Sequence, residues 1–325
     1  MSTGFLKFYL LKFCPTVLTG IFNKCKIIRM GNKKGVIIVN AYRRPEESVL
    51  QAERLQNEFF CSGVDTRIVS DGYMRSGVFD GEITSPLKDA DFIVYLDKDK
   101  YLSFELDKLS VRLFNSHNAV RLCDDKAETL IALAGKGLNI PDTVFGALSY
   151  SKDDKADADA LINVSERLGF PLVIKESFGS MGKGVYLARD FTELKEIFFK
   201  VKDKPHLFQK YLPYAFGTDI RVIVIGGKAV GAIKRVNKND FRSNVAQGGI
   251  AEKFDLPKDY KAAAEKAAEI LGLDYCGVDL LIGENGKPYI CEVNSNAFFF
   301  GFERATGINV AKLYAEYIIK RVYGK

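Results

Sequence analysis

The chain has 325 residues, is 47% hydrophobic and 27% charged, and carries a formal net charge of +6. That length suits two or three domains with substantial cores, and the composition excludes disordered and fibrous classes. Basic residues are spread without a concentrated stripe, which argues against nucleic acid as the partner and fits a small polyanionic ligand such as a nucleotide.

Residues 1–34 are predicted to lie outside the folded unit as an N-terminal extension. Their apolar start, with Phe5, Leu6, Phe8, Tyr9, Leu10 and Leu11, is interrupted by Lys7 and Lys12 and is too short to span a membrane. Val36–Asn40 reads as a strand and Glu46–Cys61 as a helix with Val49, Leu50, Ala52, Leu55 and Phe59 on one side. Asp65–Ser70, Asp91–Asp97 and Val111–Asn115 read as further strands, and the alternation implies a small parallel α/β domain over residues 35–115. His117–Lys136 is predicted as one helix and Ile140–Val144 as an edge strand. The helix Ala156–Leu168, strands Leu172–Lys175 and Val185–Ala188, the helix Phe191–Lys200 and strand Leu207–Gln209 complete an α+β lobe over 116–212. A second lobe, 213–325, holds the hairpin Ile220–Ile225 and Ala229–Lys234, a polar loop Asn237–Gly249, a helix Lys258–Leu271, an acidic hairpin and a helix Val310–Val322. Pro257 suits the first turn of the helix it precedes, and Gly272 its C-cap.

The acidic hairpin carries the most specific chemistry. Asn285-Gly286 between two apolar runs predicts a two-residue turn, in which Glu284 faces Lys287, Ile282 faces Tyr289 and Asp279 faces Glu292. Strand alternation then puts Glu292 and Asn294 on one face and Cys291 and Val293 on the other. Facing carboxylates repel, so something positive is expected between them. Two carboxylates and a carboxamide oxygen suit a hard cation such as Mg²⁺; a surface hairpin whose acids pair with lysines is the alternative left open.

Six cysteines show no C-x-x-C spacing and read as reduced thiols, and only two histidines are present, so the chemistry must rest on carboxylates, lysines, arginines and backbone. Gly179-Ser180-Met181-Gly182-Lys183-Gly184 joins two strands, unlike a Walker loop or a dinucleotide fingerprint, each of which opens a helix. It reads as a flap whose amides can wrap phosphate oxygens. Lys175 ends the strand before it, and Arg221, set between Ile220 and Val222, needs an anionic partner. Phe298-Phe299-Phe300 reads as core packing.

In order, the chain shows a lysine on a helix, a lysine before a glycine flap, a strand Phe208–Leu212, an arginine on a strand and Asp…Glu-x-Asn on a hairpin. With the segments DIRVIVIGGKAVGAIKR (219–235), DFRSNVAQGG (240–249), GVDLL (277–281), EVNSN (292–296) and GFERATGINVA (301–311), this succession resembles the ATP-grasp superfamily, and within it the RimK-type, alpha-L-glutamate ligase-like carboxylate–amine ligases. The resemblance implies an α/β fold with α+β lobes, in which two lobes clamp ATP with Mg²⁺ or Mn²⁺, two ions or more, behind a small parallel N-terminal domain. It implies that Lys126 and Lys175 contact phosphates under the flap residues Gly179, Ser180 and Gly182. Gln209, Lys210, Tyr211 and Leu212 then form the adenine hinge, and Asp219 lies near ribose or substrate. Arg221 and Arg235 face substrate and the transferred phosphate, Arg242 and Asn244 belong to a mobile loop over the reaction centre, and Asp279, Glu292 and Asn294 hold metal. Two departures stand out: Lys210 is basic where the family is commonly acidic, and Ser295-Asn296-Ala297-Phe298 replaces the small-Ser-Pro-Gly of many relatives.

The expected activity is amide formation through an acyl phosphate, joining an amino acid, glutamate foremost, to a carboxylate acceptor that is a small molecule or a protein C-terminus. A nucleotide-binding regulatory protein and an ATP-grasp kinase of small alcohols are the alternatives. The expected location is cytoplasmic, and the oligomeric state is left open. Asp279→Asn and Glu292→Gln are each expected to abolish turnover with the fold largely kept.

Overall fold

A computed structural model describes residues 34–42, 46–71, 76–149, 154–243 and 249–324. The extension expected before Lys34 lies outside these residues, and Lys34 itself opens the first strand.

Strand β1 (Lys34–Val39), helix α1 (Glu46–Cys61), β2 (Asp65–Ser70), a small hairpin of β3 (Gly77–Phe79) and β4 (Glu82–Thr84), β5 (Phe92–Leu96), α2 (Lys100–Lys108) and β6 (Leu113–Phe114) build the first layer. Its sheet is parallel, in the order β2-β1-β5-β6. β1 and β5 are covered on both faces, which is why they read as unbroken apolar runs, whereas the edge strand β2 has no fully buried residue.

The predicted helix 117–136 is two helices, α3 (His117–Asp124) and α4 (Lys126–Leu133). Asp125 breaks it: the residue is extended, at φ −98° and ψ 112°, and its carboxylate accepts from the Ala127 and Glu128 amides as the N-cap of α4. An aspartate does more for the chain as a cap than inside a helix, and the break turns Lys126 inward.

β7 (Thr143–Phe145), α5 (Asp154–Leu168), β8 (Leu172–Glu176), β9 (Val185–Ala188), α6 (Phe191–Val201) and β10 (His206–Lys210) form a second, antiparallel sheet in the order β7-β10-β8-β9. One face packs Leu172, Ile174 and Phe208 onto Leu161, Val164, Leu194 and Phe198 of the two helices. The other face, with Val173, Lys175 and Gln209, looks into the cleft described below.

β11 (Thr218–Ile225), β12 (Lys228–Val236), β13 (Ile250–Phe254), α7 (Lys258–Ile270), β14 (Tyr275–Ile282), β15 (Pro288–Asn294), α8 (Phe300–Thr306) and α9 (Val310–Tyr323) complete the fold, with sheet order β13-β12-β11-β14-β15. Ile220, Val222 and Val224 pack with α7 and α3. The alternate residues Ile223 and Ile225 share a core with α9, β1 and β5, so the first layer and the third sheet are joined through α9. Phe299 is fully buried there, as expected of core packing. Asn115 locks the junction, donating to the Tyr275 and Ser295 carbonyls and accepting from the Asp274 and Tyr275 amides. Cys61 is disulfide-bonded, contrary to the reading of all six cysteines as reduced, while Cys123, Cys276 and Cys291 are free.

The β14–β15 hairpin differs from its predicted form in two compensating ways. Its loop is Gly283–Lys287, closed by the Gly283 amide on the Lys287 carbonyl at 2.8 Å, so Ile282 pairs with Pro288 and not with Tyr289. A bulge then inserts Cys291, and Asp279 still faces Glu292. The core explains the bulge: Ile290 and Val293, three apart, are both buried against α7, which strict alternation forbids. The extra residue turns Cys291 to the cleft beside Glu292, correcting the expectation that it points the opposite way.

Candidate functional site

The cleft lies between the second and third sheets, roofed by the loop that joins β8 to β9. Nearly all the expected positions converge on it: Lys126, Lys175, Gly179, Ser180, Gly182, Gln209, Lys210, Tyr211, Leu212, Asp219, Arg235, Arg242, Asp279 and Glu292 line it. Arg221 and Asn294 reach it through Asp279, and Asn244 lies outside the described residues. His117 and His206 take no part; the His206 ring bonds the Lys204 carbonyl and packs on Phe198 and Phe208.

On the side of the second sheet the cations are lysines. Lys126, in the first turn of α4, is buried; its amide donates to the Ser177 carbonyl at 3.0 Å and its ammonium to the Gly179 carbonyl at 2.9 Å. Burial holds this ammonium below the ordinary lysine value, against the pull of Glu292, whose Oε1 is 4.0 Å away. Lys175 donates to Gln209 Oε1 at 2.7 Å and lies 3.7 Å from the Cys291 sulfur. Burial pushes the Cys291 thiol up, so it stays neutral beside the lysine. Lys210 turns away: its amide donates to the Asp142 carbonyl and its exposed ammonium lies 3.7 Å from the Asp142 carboxylate.

The third sheet contributes arginines and aspartates. Cross-strand pairing places Arg221 opposite Asp279 and Asp219 opposite Arg235. Arg221 Nε and Nη2 grip the two Asp279 oxygens at 2.7 Å each, and Arg235 Nη2 reaches the same carboxylate at 2.9 Å. Arg235 also forks onto Asp219, with Nε at 2.6 Å from Oδ1, and the Ser243 hydroxyl donates to Asp219 Oδ2 at 2.5 Å. Burial alone would raise the Asp279 carboxyl, but Arg221 and Arg235 reverse this and hold it below the usual carboxylate range. Burial likewise opposes the Arg235 charge, and Asp279 and Asp219 outweigh it.

The positive charge that the facing acids require is therefore supplied at Asp279 by two guanidiniums. The sequence argument looked to a hard cation or to lysines for that charge; at Asp279 the arginines of β11 and β12 provide it. Among the described residues Glu292 has no guanidinium partner and pairs with Lys126 at 4.0 Å. Among the described residues no three His, Cys, Asp or Glu side chains form a metal cluster. The oxygen donors Asp279, Glu292 and Asn294 nevertheless sit on two paired strands, a chemistry that fits a hard cation once Asp279 shares its guanidinium partners.

The glycine loop is tied from both sides. Lys126 holds Gly179, and Arg242, itself paired with Asp240 at 2.7 Å, donates to the Gly182 carbonyl at 3.1 Å. Gly182 has φ 75°, a left-handed conformation that glycine adopts without strain. Sequence reading missed Ser243 and Cys291. The three-residue spacing of Ile290 and Val293 was the available signal for Cys291; nothing local marked Ser243.

The sequence model of the RimK-like ATP-grasp domain matches residues 123–318. The chain belongs to this family. Among relatives of this RimK-like protein, N-acetylaspartylglutamate synthase A of Homo sapiens is 37% identical over 226 residues, 69% of this chain and 56% of that protein. A probable alpha-L-glutamate ligase of Shewanella loihica is 41% identical over 211 residues, 64% of this chain and 67% of that one. The RimK-like chain thus spans little more than half the length of the first of these. In fold, it is similar to a RimK domain ATP-grasp protein from Sphaerobacter thermophilus, with a TM-score of 0.66 at 19% identity over 87% of this chain and 98% of that chain. Among the described residues no helix is long and apolar enough to cross a membrane.

Proposed function

We propose that this RimK-like protein is an ATP-dependent carboxylate–amine ligase. The observation that carries the reading is the meeting, in one cleft under a glycine loop, of two buried lysines that donate to a backbone carbonyl and an amide oxygen with a hairpin bearing Asp279, Glu292 and Asn294. Lys126 and Lys175 hold the polyphosphate of ATP, with Gly179, Ser180 and Gly182 closing over it and Tyr211 and Leu212 beside the base. Glu292 and Asn294, joined by Asp279, hold Mg²⁺, which neutralises phosphate charge when bound.

In the reaction a substrate carboxylate oxygen attacks the γ-phosphorus, the bond to the bridging oxygen breaks, and ADP leaves with the electron pair. The amine nitrogen then attacks the acyl carbon, phosphate departs, and the amine gives up a proton. Arg221 and Arg235 stabilise the charge that develops on the transferring phosphate and acyl oxygens, and Arg242 covers the centre. Such chemistry needs positioning and charge stabilisation more than a protein nucleophile, in keeping with a cleft without histidine. The amine donor is an amino acid, glutamate first among candidates, because named relatives are glutamate ligases and synthases.

Hydroxylamine trapping tests this. With ATP, Mg²⁺ and a panel of acids, a ligase yields a hydroxamate together with ADP. A kinase yields a stable phosphoester, and a regulatory nucleotide binder yields no ADP; either result would refute the proposal.

A further inference from the structure

The ammonium of Lys175 is aimed by an amide. Its hydrogen bond to Gln209 Oε1 is 2.7 Å long and sits in a buried setting, Gln209 being 2% exposed and Lys175 8%. The two ends of a glutamine amide are nearly alike in shape and opposite in polarity, so packing alone does not choose which end meets the lysine. A reversed amide would set two N–H donors against an ammonium.

A third residue enforces the same choice from the other end of the amide. Gln209 Nε2 donates to Thr143 Oγ1 at 3.0 Å, and the Thr143 hydroxyl donates its single proton to the Pro141 carbonyl at 2.8 Å. A carbonyl only accepts, so the hydroxyl proton is committed there and Thr143 can offer Gln209 nothing but a lone pair. The NH₂ end must therefore face Thr143, which leaves the carbonyl end for Lys175. The ladder fixes this geometry: Thr143 stands opposite Gln209 across β7 and β10, and Gln209 stands opposite Val173, two residues from Lys175, across β10 and β8.

We propose that Thr143 is a positioning residue for nucleotide binding, setting the polarity of Gln209 and through it the direction of the Lys175 ammonium. The inference rests on the reading of Lys175 as a phosphate contact. Thr143 itself does not line the cleft; it lies on the edge strand, partly exposed, where substitution disturbs little packing.

The test is calorimetric titration of the full-length protein with a non-hydrolysable ATP analogue and Mg²⁺, using T143V, T143S, K175A and the T143V/K175A double variant. T143V should bind about tenfold more weakly, and T143S, which keeps the hydroxyl, within about twofold of wild type. In turnover assays T143V should raise KM for ATP more than it lowers kcat. The double variant should bind no more weakly than K175A alone, since the threonine acts only through the lysine. Wild-type affinity in T143V, failure of T143S to recover it, or simple addition of the two effects would overturn the relay alone. Equal binding by wild type and K175A would overturn the phosphate reading of the cleft, and the relay with it.

Discussion

The two walls of the cleft solve the burial of positive charge in opposite ways. On the side of the second sheet, Lys126 from α4 and Lys175 from β8 meet chiefly uncharged acceptors, the Gly179 carbonyl, the Gln209 amide and a neutral thiol, so much of their charge is left to act on something else. On the third sheet Arg221 and Arg235 are locked by bidentate bonds to Asp279 and Asp219, and the group is close to neutral as it stands. The lysine wall is thus suited to attract a polyanion, and the arginine wall to hold a fixed geometry whose donors can be shared with an incoming phosphate.

The sharpest way to break this contrast is Asp279→Asn. With it, the buried Arg235 and the part-buried Arg221 lose their shared counter-charge, and the fold should weaken by about 3 kcal/mol or more in urea titration, together with loss of turnover. That departs from the sequence-based expectation that this variant keeps its fold. Lys175→Ala removes charge from the other wall: nucleotide affinity should fall about a hundredfold by calorimetry, while urea stability shifts by no more than about 1 kcal/mol. Glu292→Gln should separate the two hairpin acids. Mg²⁺-dependent ADP release is lost, yet Tm stays within about 2 °C, because Glu292 carries no guanidinium partner. Arg242→Ala frees one tie on the glycine loop and should raise KM for ATP about threefold, with faster amide exchange over 177–184.

The smallest expected effect concerns pH. Burial, the hydrogen bond to Asp71 and the Asp71 charge push the Asp97 carboxyl up to about 7. Its folded value lies above its unfolded one, so the folded protein binds more protons between the two, and stability contributed by Asp97 declines as pH rises from about 4 to about 7. Asp279 has the opposite sign: its stabilisation is present above the ordinary carboxylate range and disappears as pH falls through its lowered folded value. Urea midpoints of Asp97→Asn across pH 5–8 should lack the decline. A wild-type slope in that variant would show that Asp97 is not its source.

Much of the fold was legible locally. α1, β2 and β9 have the predicted limits, because each couples a clear period to turn residues at both ends. α2 was missed, although Asp99 caps it at the Tyr101 and Leu102 amides, since it buries little apolar surface. β13 was left unassigned between the polar loop and the helix that follows: Ile250–Phe254 is an edge strand with no clean alternation of burial. The two helices read as one failed at Asp125, where a single side-chain cap outweighed a continuous apolar period.

The sequence by itself determined which side chains could reach the cleft. Period-two alternation assigns Asp219 and Arg221 to one strand face, and the hairpin brings Asp279 opposite Glu292 even though its loop and bulge each differ from the simple turn. Only the tertiary structure decided what neutralises Asp279. That depends on the lateral order β12-β11-β14, which sets arginines from two strands beside a carboxylate on a third. Strand order is fixed by burial of whole faces against α7 and α9, a non-local balance that no spacing along the chain encodes.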